Sequence, residues 1–100
     1  MAKFSDLIAG QIPTLIDFSA EWCGPCQMLK PELEKLASMV EEKVRIIKID
    51  VDRNTHLAGQ LGVQGVPTLM LYQNGKLLWR SSGYQTAQQL KVTLSQLVSI

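Results

Sequence analysis

Ile16-Asp17-Phe18-Ser19-Ala20-Glu21-Trp22-Cys23-Gly24-Pro25-Cys26 is the stretch that decides how this chain is read. With Thr14-Leu15 before it, its first part is an apolar strand entered at Pro13, and the residues after it open a helical pattern. Its two cysteines are the only ones in the chain. Placed one turn apart at the start of a helix, their Cα atoms lie about 5–6 Å from each other, within the span of a disulfide. Such a pair opens and closes without rebuilding the fold, which is what a dithiol–disulfide redox site requires.

The start of a helix offers unpaired N–H groups and the positive end of its dipole, and both favour a thiolate. Cys23 sits there and is the candidate attacking nucleophile. Cys26, one turn further in, is expected to be less exposed and to resolve the mixed disulfide. Gly24 and Pro25 carry no bulky or charged side chain, so a protein substrate can approach, and Pro25 suits a first helical turn. The competing readings of the pair are a structural disulfide and a zinc half-site. Zinc needs four ligands, and His56 is the only histidine left to join the cysteines.

Asp17 interrupts the apolar strand six residues before Cys23. Alternation puts it on one face with Leu15 and Ser19, while Ile16 and Phe18 take the other. A buried carboxylate is costly unless paired or protonated, so its pKa should rise, making Asp17 a candidate general base. The alternative is that Asp17 faces water through a gap in the helical layer. Lys48, set among Ile46, Ile47 and Ile49, either extends its ammonium into solvent or partners Asp17. Pro67 follows Gly65-Val66 at a strand start, where local sequence gives only the ordinary chance of about 5% for a cis bond.

Working outward, Phe4, Leu7 and Ile8 follow helical spacing up to Gly10. Leu29, Leu33, Leu36, Ala37 and Val40 form the core face of a long helix in which Pro31 is expected to make a kink. Val44 to Val51 reads as a strand buried on both faces, as in a parallel sheet. Thr55 to Leu61 is a short helix with Asn54 as its cap and Gly62 as its stop. Thr68 to Tyr72 is a third strand, and Asn74-Gly75 turns it into Leu77-Leu78-Trp79-Arg80. Thr86 and Gln89 form a capping box before a last helix with Leu90, Leu94, Leu97 and Val98 inward. Met28, Met39 and Met70 are expected to fill the core, and Trp79 to pack on its strand. Glu32, Glu34, Lys35, Glu41, Glu42 and Lys43 form a solvated surface, with His56 also exposed.

This order predicts an α/β fold in one domain over residues 1–100, a mixed sheet of about four strands flanked by four helices. With 46% apolar and 19% charged residues and a net charge of +1, the chain has no electrostatic pull toward nucleic acid or membrane. It has no run of 18 apolar residues, and Asp6 falls where a signal peptide would be apolar. A cytoplasmic location is expected.

Over most of its length the chain resembles the thioredoxin family. The stretch from Ile16 to Cys26 is close to the family signature, Val63-Gln64-Gly65-Val66-Pro67-Thr68-Leu69 matches its second motif, and Asn74-Gly75-Lys76 and Gly83 follow at the expected intervals. The resemblance implies reduction of protein disulfides, with Cys23 attacking and Cys26 resolving. It implies that Asp17 accepts the proton of Cys26 with help from Lys48. It makes Pro67 cis and close to the sulfurs, and lets the backbone of Val66 pair with an extended substrate segment. Trp22, Gly24, Pro25, Val51, Val66, Pro67 and Gly83 would form the apolar surface that partners touch. No cofactor would be bound, and a flavin-dependent thioredoxin reductase would supply electrons from NADPH.

Three departures stand out. Ser19 stands where the family commonly has a tryptophan beside the site, Ser82 and Tyr84 flank Gly83 where small apolar residues are usual, and helical spacing begins as early as Phe4, whereas the family usually has a strand before its first helix. That first strand is expected to be absent, leaving Val44–Val51 at a sheet edge, covered by residues 1–3, guarded by Arg45 and Lys48, or used for weak self-association of an otherwise monomeric protein. Two other functions compete. A disulfide oxidase or isomerase usually carries a histidine between the cysteines, which Gly24-Pro25 does not supply. A binding module or chaperone subunit would use the apolar surface without redox turnover.

Overall fold

β1 (Thr14–Ser19) is buried at every position because it has a neighbour on each side and helices above and below. The structure, a computed structural model, describes residues 3–100. The sheet runs in the order β2 (Arg45–Asp50), β1, β3 (Thr68–Gln73), β4 (Lys76–Ser82), with β2 parallel to β1 and the other pairs antiparallel. Among the described residues four α-helices flank it: α1 (Phe4–Ile8), α2 (Gly24–Val40), α3 (Thr55–Gln60) and α4 (Ala87–Leu97).

Period-two alternation divides the core into two layers. Leu15, Leu69 and Leu71 pack against Leu29, Leu33, Leu36 and Val40 of α2 and Leu90 and Leu94 of α4. Ile16, Phe18, Met70 and Tyr72 meet Phe4 and Ile8 of α1 and Leu57 and Leu61 around α3. Asp17 and Ser19 therefore project toward α2. The Thr86–Gln89 capping box opens α4 as expected. Asn74 and Gly75 both adopt positive φ, the geometry that matches a two-residue turn to the strand twist.

α1 is a single turn and a half, too short to persist alone. Its trailing carbonyls find distant donors. Leu7 O accepts from Arg45 Nη1 at 3.3 Å, Ile8 O from Gly75 N at 2.8 Å, and Gly10 O from Asn74 N at 2.9 Å.

Several expectations are corrected. β2 is half-exposed rather than buried on both faces, because among the described residues only β1 pairs with it. That no strand precedes α1 among the described residues is the arrangement expected from the sequence. The idea that residues 1–3 cover the β2 edge lies, apart from exposed Lys3, outside those residues. Met28 (61% exposed) and Met39 (40%) lie off the buried stripe of α2, and among the described residues only Met70 is a core methionine. Ala37 is exposed on α2, and Leu97 is exposed at the last residue of α4, while Val98 just beyond is buried. Pro31 lies inside α2, as expected, and the helix runs on to Val40. Asn54 caps nothing with its side chain, which instead donates to Asp50 O at 2.9 Å. Glu32 is not simply solvated. Its Oε1 accepts the Ala87 N–H at 2.9 Å, tying α2 to the start of α4, and that bond holds the carboxyl below its ordinary pKa, with Lys35 adding to the effect.

Candidate active site

The chain leaves β1 at Ser19, turns at Ala20, and enters α2 with Cys23 as the N-cap in an extended conformation. Cys23 and Cys26 form a disulfide with a Cα–Cα distance of 5.2 Å. The Cys26 N–H points at Cys23 Sγ from 3.2 Å. A thiolate at Cys23 would receive that N–H together with the field of a 17-residue helix, which is the environment that depresses a thiol pKa. Cys26 is not the more hidden of the two. The residues are 4% and 5% exposed, because Ala20, Val51 and Val66 pack around both.

Across from the disulfide, the Val66–Pro67 peptide is cis, as the resemblance implied and local sequence did not. Pro67 is buried, and the carbonyl of Val66 lies 3.5 Å from Cys23 Sγ. Gly83, at φ +96°, donates its N–H to Pro67 O at 2.9 Å and so carries the end of β4 to the site. The rim is apolar. Trp22 is 73% exposed, Gly24 and Pro25 are exposed, and Val51, Val66 and Gly83 are half-buried.

Asp17 is 3% exposed, which excludes the gap to water. Burial pushes its carboxyl up to about 6, although the Lys48 ammonium pulls the other way. The parallel register sets Asp17 beside Lys48, and the two line one cavity of about 280 Å³ together with Cys26, Lys30, Leu33 and Glu34. Lys48 itself is exposed and makes no ion pair with Asp17, so it acts through its field while its ammonium stays in solvent. His56 is exposed on α3, and among the described residues no group of three or more His, Cys, Asp or Glu side chains is placed to hold a metal. No helix among them is long and apolar enough to cross a membrane.

Sequence reasoning missed Asp52. Its Oδ2 accepts the Trp22 Nε1 hydrogen at 2.8 Å, and Asp50 Oδ1 shapes the intervening turn by accepting from the N–H groups of Asp52 and Arg53. Thirty residues separate Trp22 from Asp52, and nothing in local spacing links them.

The thioredoxin family profile matches residues 1–96. The chain belongs to the thioredoxin family. It is 39% identical over 97 residues to the thioredoxin of Alicyclobacillus acidocaldarius subsp. acidocaldarius, covering 97% of this chain and 92% of that protein. It is 41% identical over 87 residues to thioredoxin 1 of Chlorobaculum tepidum, covering 86% of each. Among solved structures, a point mutant of the Halobacterium salinarum NRC-1 thioredoxin superposes with a TM-score of 0.87 at 38% identity, covering all of this chain and 87% of that one. Chloroplastic thioredoxin z superposes with a TM-score of 0.80 at 34% identity, covering 87% and 79%. The four-stranded mixed sheet with four helices is thus a thioredoxin fold, and the Cys23–Cys26 pair is its redox centre. Its activity is protein-disulfide oxidoreduction, as a disulfide reductase.

Proposed function

We propose that this single thioredoxin domain reduces protein disulfides in the cytoplasm, with Cys23 attacking and Cys26 resolving. The observation that carries the assignment is the Cys26 N–H aimed at Cys23 Sγ at the mouth of α2. The Cys23 thiolate attacks one sulfur of a substrate disulfide, forming a mixed disulfide and expelling the other sulfur as a thiolate. Asp17, as a carboxylate, takes the proton of the Cys26 thiol. The Cys26 thiolate then attacks Cys23 Sγ, re-forming the intramolecular disulfide and releasing the second substrate sulfur, which takes up a proton. Two electrons have passed to the substrate.

Burial suits Asp17 to this task, because a carboxyl near 6 exchanges its proton close to neutral pH. Lys48 keeps that value from rising further. Trp22, Gly24, Pro25, Val51, Val66, Pro67 and Gly83 receive the substrate, with the backbone of Val66 pairing to an extended segment. Electrons return from NADPH through a flavin-dependent thioredoxin reductase. The protein acts as a monomer whose β2 edge is kept from pairing by exposed Arg45 and Lys48. Cys26→Ser tests the division of labour. With a disulfide-bonded protein it should accumulate a mixed disulfide at Cys23, visible by mass spectrometry, whereas trapping through any other residue would refute the scheme.

A further inference from the structure

α3 ends in a Schellman turn. Gly62, at φ +66°, donates its N–H to Gly59 O at 3.2 Å, and Val63 donates to Ala58 O at 2.9 Å. The helix has then spent its own donors, and the carbonyls of Leu61 and Gly62 still need partners. Arg80 of β4 meets both. Its Nη1 donates to Leu61 O at 2.6 Å and its Nη2 to Gly62 O at 2.7 Å. β4 delivers the side chain because Arg80 pairs with Met70, and cross-strand partners share a face. Met70 lies on the face that packs with Leu57 and Leu61. Among the described residues the guanidinium forms no ion pair with a carboxylate. A charged fork is thus committed to two neutral carbonyls, and short charge-assisted bonds are the strong ones.

These two carbonyls stand at the entrance of the segment that presents Val66. Val63 is anchored by its side chain, which packs against the core layer of Phe18 and Met70. Beyond it, Gln64, Gly65 and Val66 run on to β3 without helix or strand. A span without regular hydrogen bonding keeps its shape only through individual ties. Thr68 Oγ1 donates to Gly65 O at 2.6 Å, and the Gly83 N–H holds Pro67 O at 2.9 Å. Arg80 and Gly83 are three residues apart. One short piece of chain at the end of β4 therefore grips the segment before Val63 and again at Pro67. Val66 sits between the two grips, with its carbonyl 3.5 Å from Cys23 Sγ.

We propose that Arg80 is a positioning residue for substrate recognition: by holding Leu61 O and Gly62 O it fixes where the backbone of Val66 meets the extended segment of a substrate. The inference rests on the strand pairing at Val66 described above and adds the residue that sets its geometry. An edge already fixed spares the complex the entropy of ordering it on binding. Arg80 touches neither sulfur, so it acts on association and leaves the thiol–disulfide exchange itself alone. It is exposed, so its removal buries no charge and opens no cavity in the core.

Arg80→Ala and Arg80→Lys, compared with the wild type on a disulfide-bonded peptide and on cystine, test this. Cystine has no strand to offer. With the peptide, Arg80→Ala should raise KM about fivefold while kcat holds, the size of one net hydrogen bond. Turnover of cystine should not change. Lysine, a point charge without the fork, should fall between the two. An unchanged KM for the peptide overturns the proposal, as does an equal loss on both disulfides, which would mark general damage. The peptide is also made with a backbone ester in place of the amide beside its cysteine, which removes one N–H. The ester should cost the wild type about fivefold in kcat/KM and Arg80→Ala less than about twofold, because a displaced edge no longer makes the bond. The same full cost in both proteins overturns the proposal. Nitrogen-15 relaxation reads the edge without any substrate. Order parameters of Gln64, Gly65 and Val66 should lie near the rigid value of about 0.85 in the wild type and fall toward about 0.6 in Arg80→Ala, with residues 69–72 unmoved. An ester without cost in the wild type would remove the pairing at Val66, while the fall in order would still show Arg80 holding that edge. Order that does not change overturns the proposal whatever the ester does.

Discussion

Replacing Asp17 by asparagine isolates the cost of keeping a carboxylate under α2. In the folded protein Asp17 titrates at about 6 instead of 3.8. Between these values the folded chain holds a proton that the unfolded chain has lost, so stability falls as pH rises through the interval. Two units at 1.36 kcal/mol each amount to about 3 kcal/mol, an upper value because water entering the cavity would moderate it. Below the unfolded value the penalty vanishes, and above the folded one it is complete. Asp17→Asn should therefore match the wild type near pH 4 and exceed it by about 2–3 kcal/mol at pH 8. The assay is urea unfolding of the oxidised proteins across that range, compared as differences so that the ordinary carboxylates cancel. A stability difference that stays constant from pH 4 to pH 8 would refute the argument from burial.

The same substitution should slow the resolving step about a hundredfold at neutral pH, as loss of a general base does, while the first attack by Cys23 keeps its rate; rapid-mixing kinetics separates the two. Asp52→Ala frees the Trp22 indole and, since the bond is exposed, should cost under about 1 kcal/mol of stability while weakening substrate association, read as a rise in KM with kcat held. Arg45→Val combined with Lys48→Val removes the charges guarding the β2 edge. Light scattering should then show self-association rising with concentration, whereas the parent stays monomeric.

Local chemistry made much of this fold legible. The alternation in Thr14–Ser19, Pro25 in the first turn of a helix, the Thr86–Gln89 box and the Asn74-Gly75 turn are each fixed by neighbours a few residues away. The cysteine pair was legible for the same reason. Contacts across the chain were not. Alternation showed that Asp17 shares a face with Ser19, but whether that face is wet depends on α2 lying over it. The partnership with Lys48 depends on a parallel register set by a strand far along the chain. Glu32 reads as one more charge on a helix surface until α4 brings the Ala87 N–H to it. β2 misled for a similar reason, since an apolar run reports what a strand tolerates and not how many neighbours it has. Met28 and Met39 were assigned by residue type when their positions on α2 decide.

The carbonyls at the end of α1 lead to one more result. Leu7, Ile8 and Gly10 are held by Arg45 at the start of β2 and by both residues of the β3–β4 turn. The first helix is thus clasped to the rest of the chain at points far apart in sequence. A segment so short would ordinarily fray and exchange its amide hydrogens freely, and so would the tip of a hairpin. Here each shields the other. The amides of Asn74 and Gly75 should therefore exchange only when α1 lets go, and matched hydrogen-exchange rates in α1 and at the β3–β4 turn would mark the two as one cooperative unit.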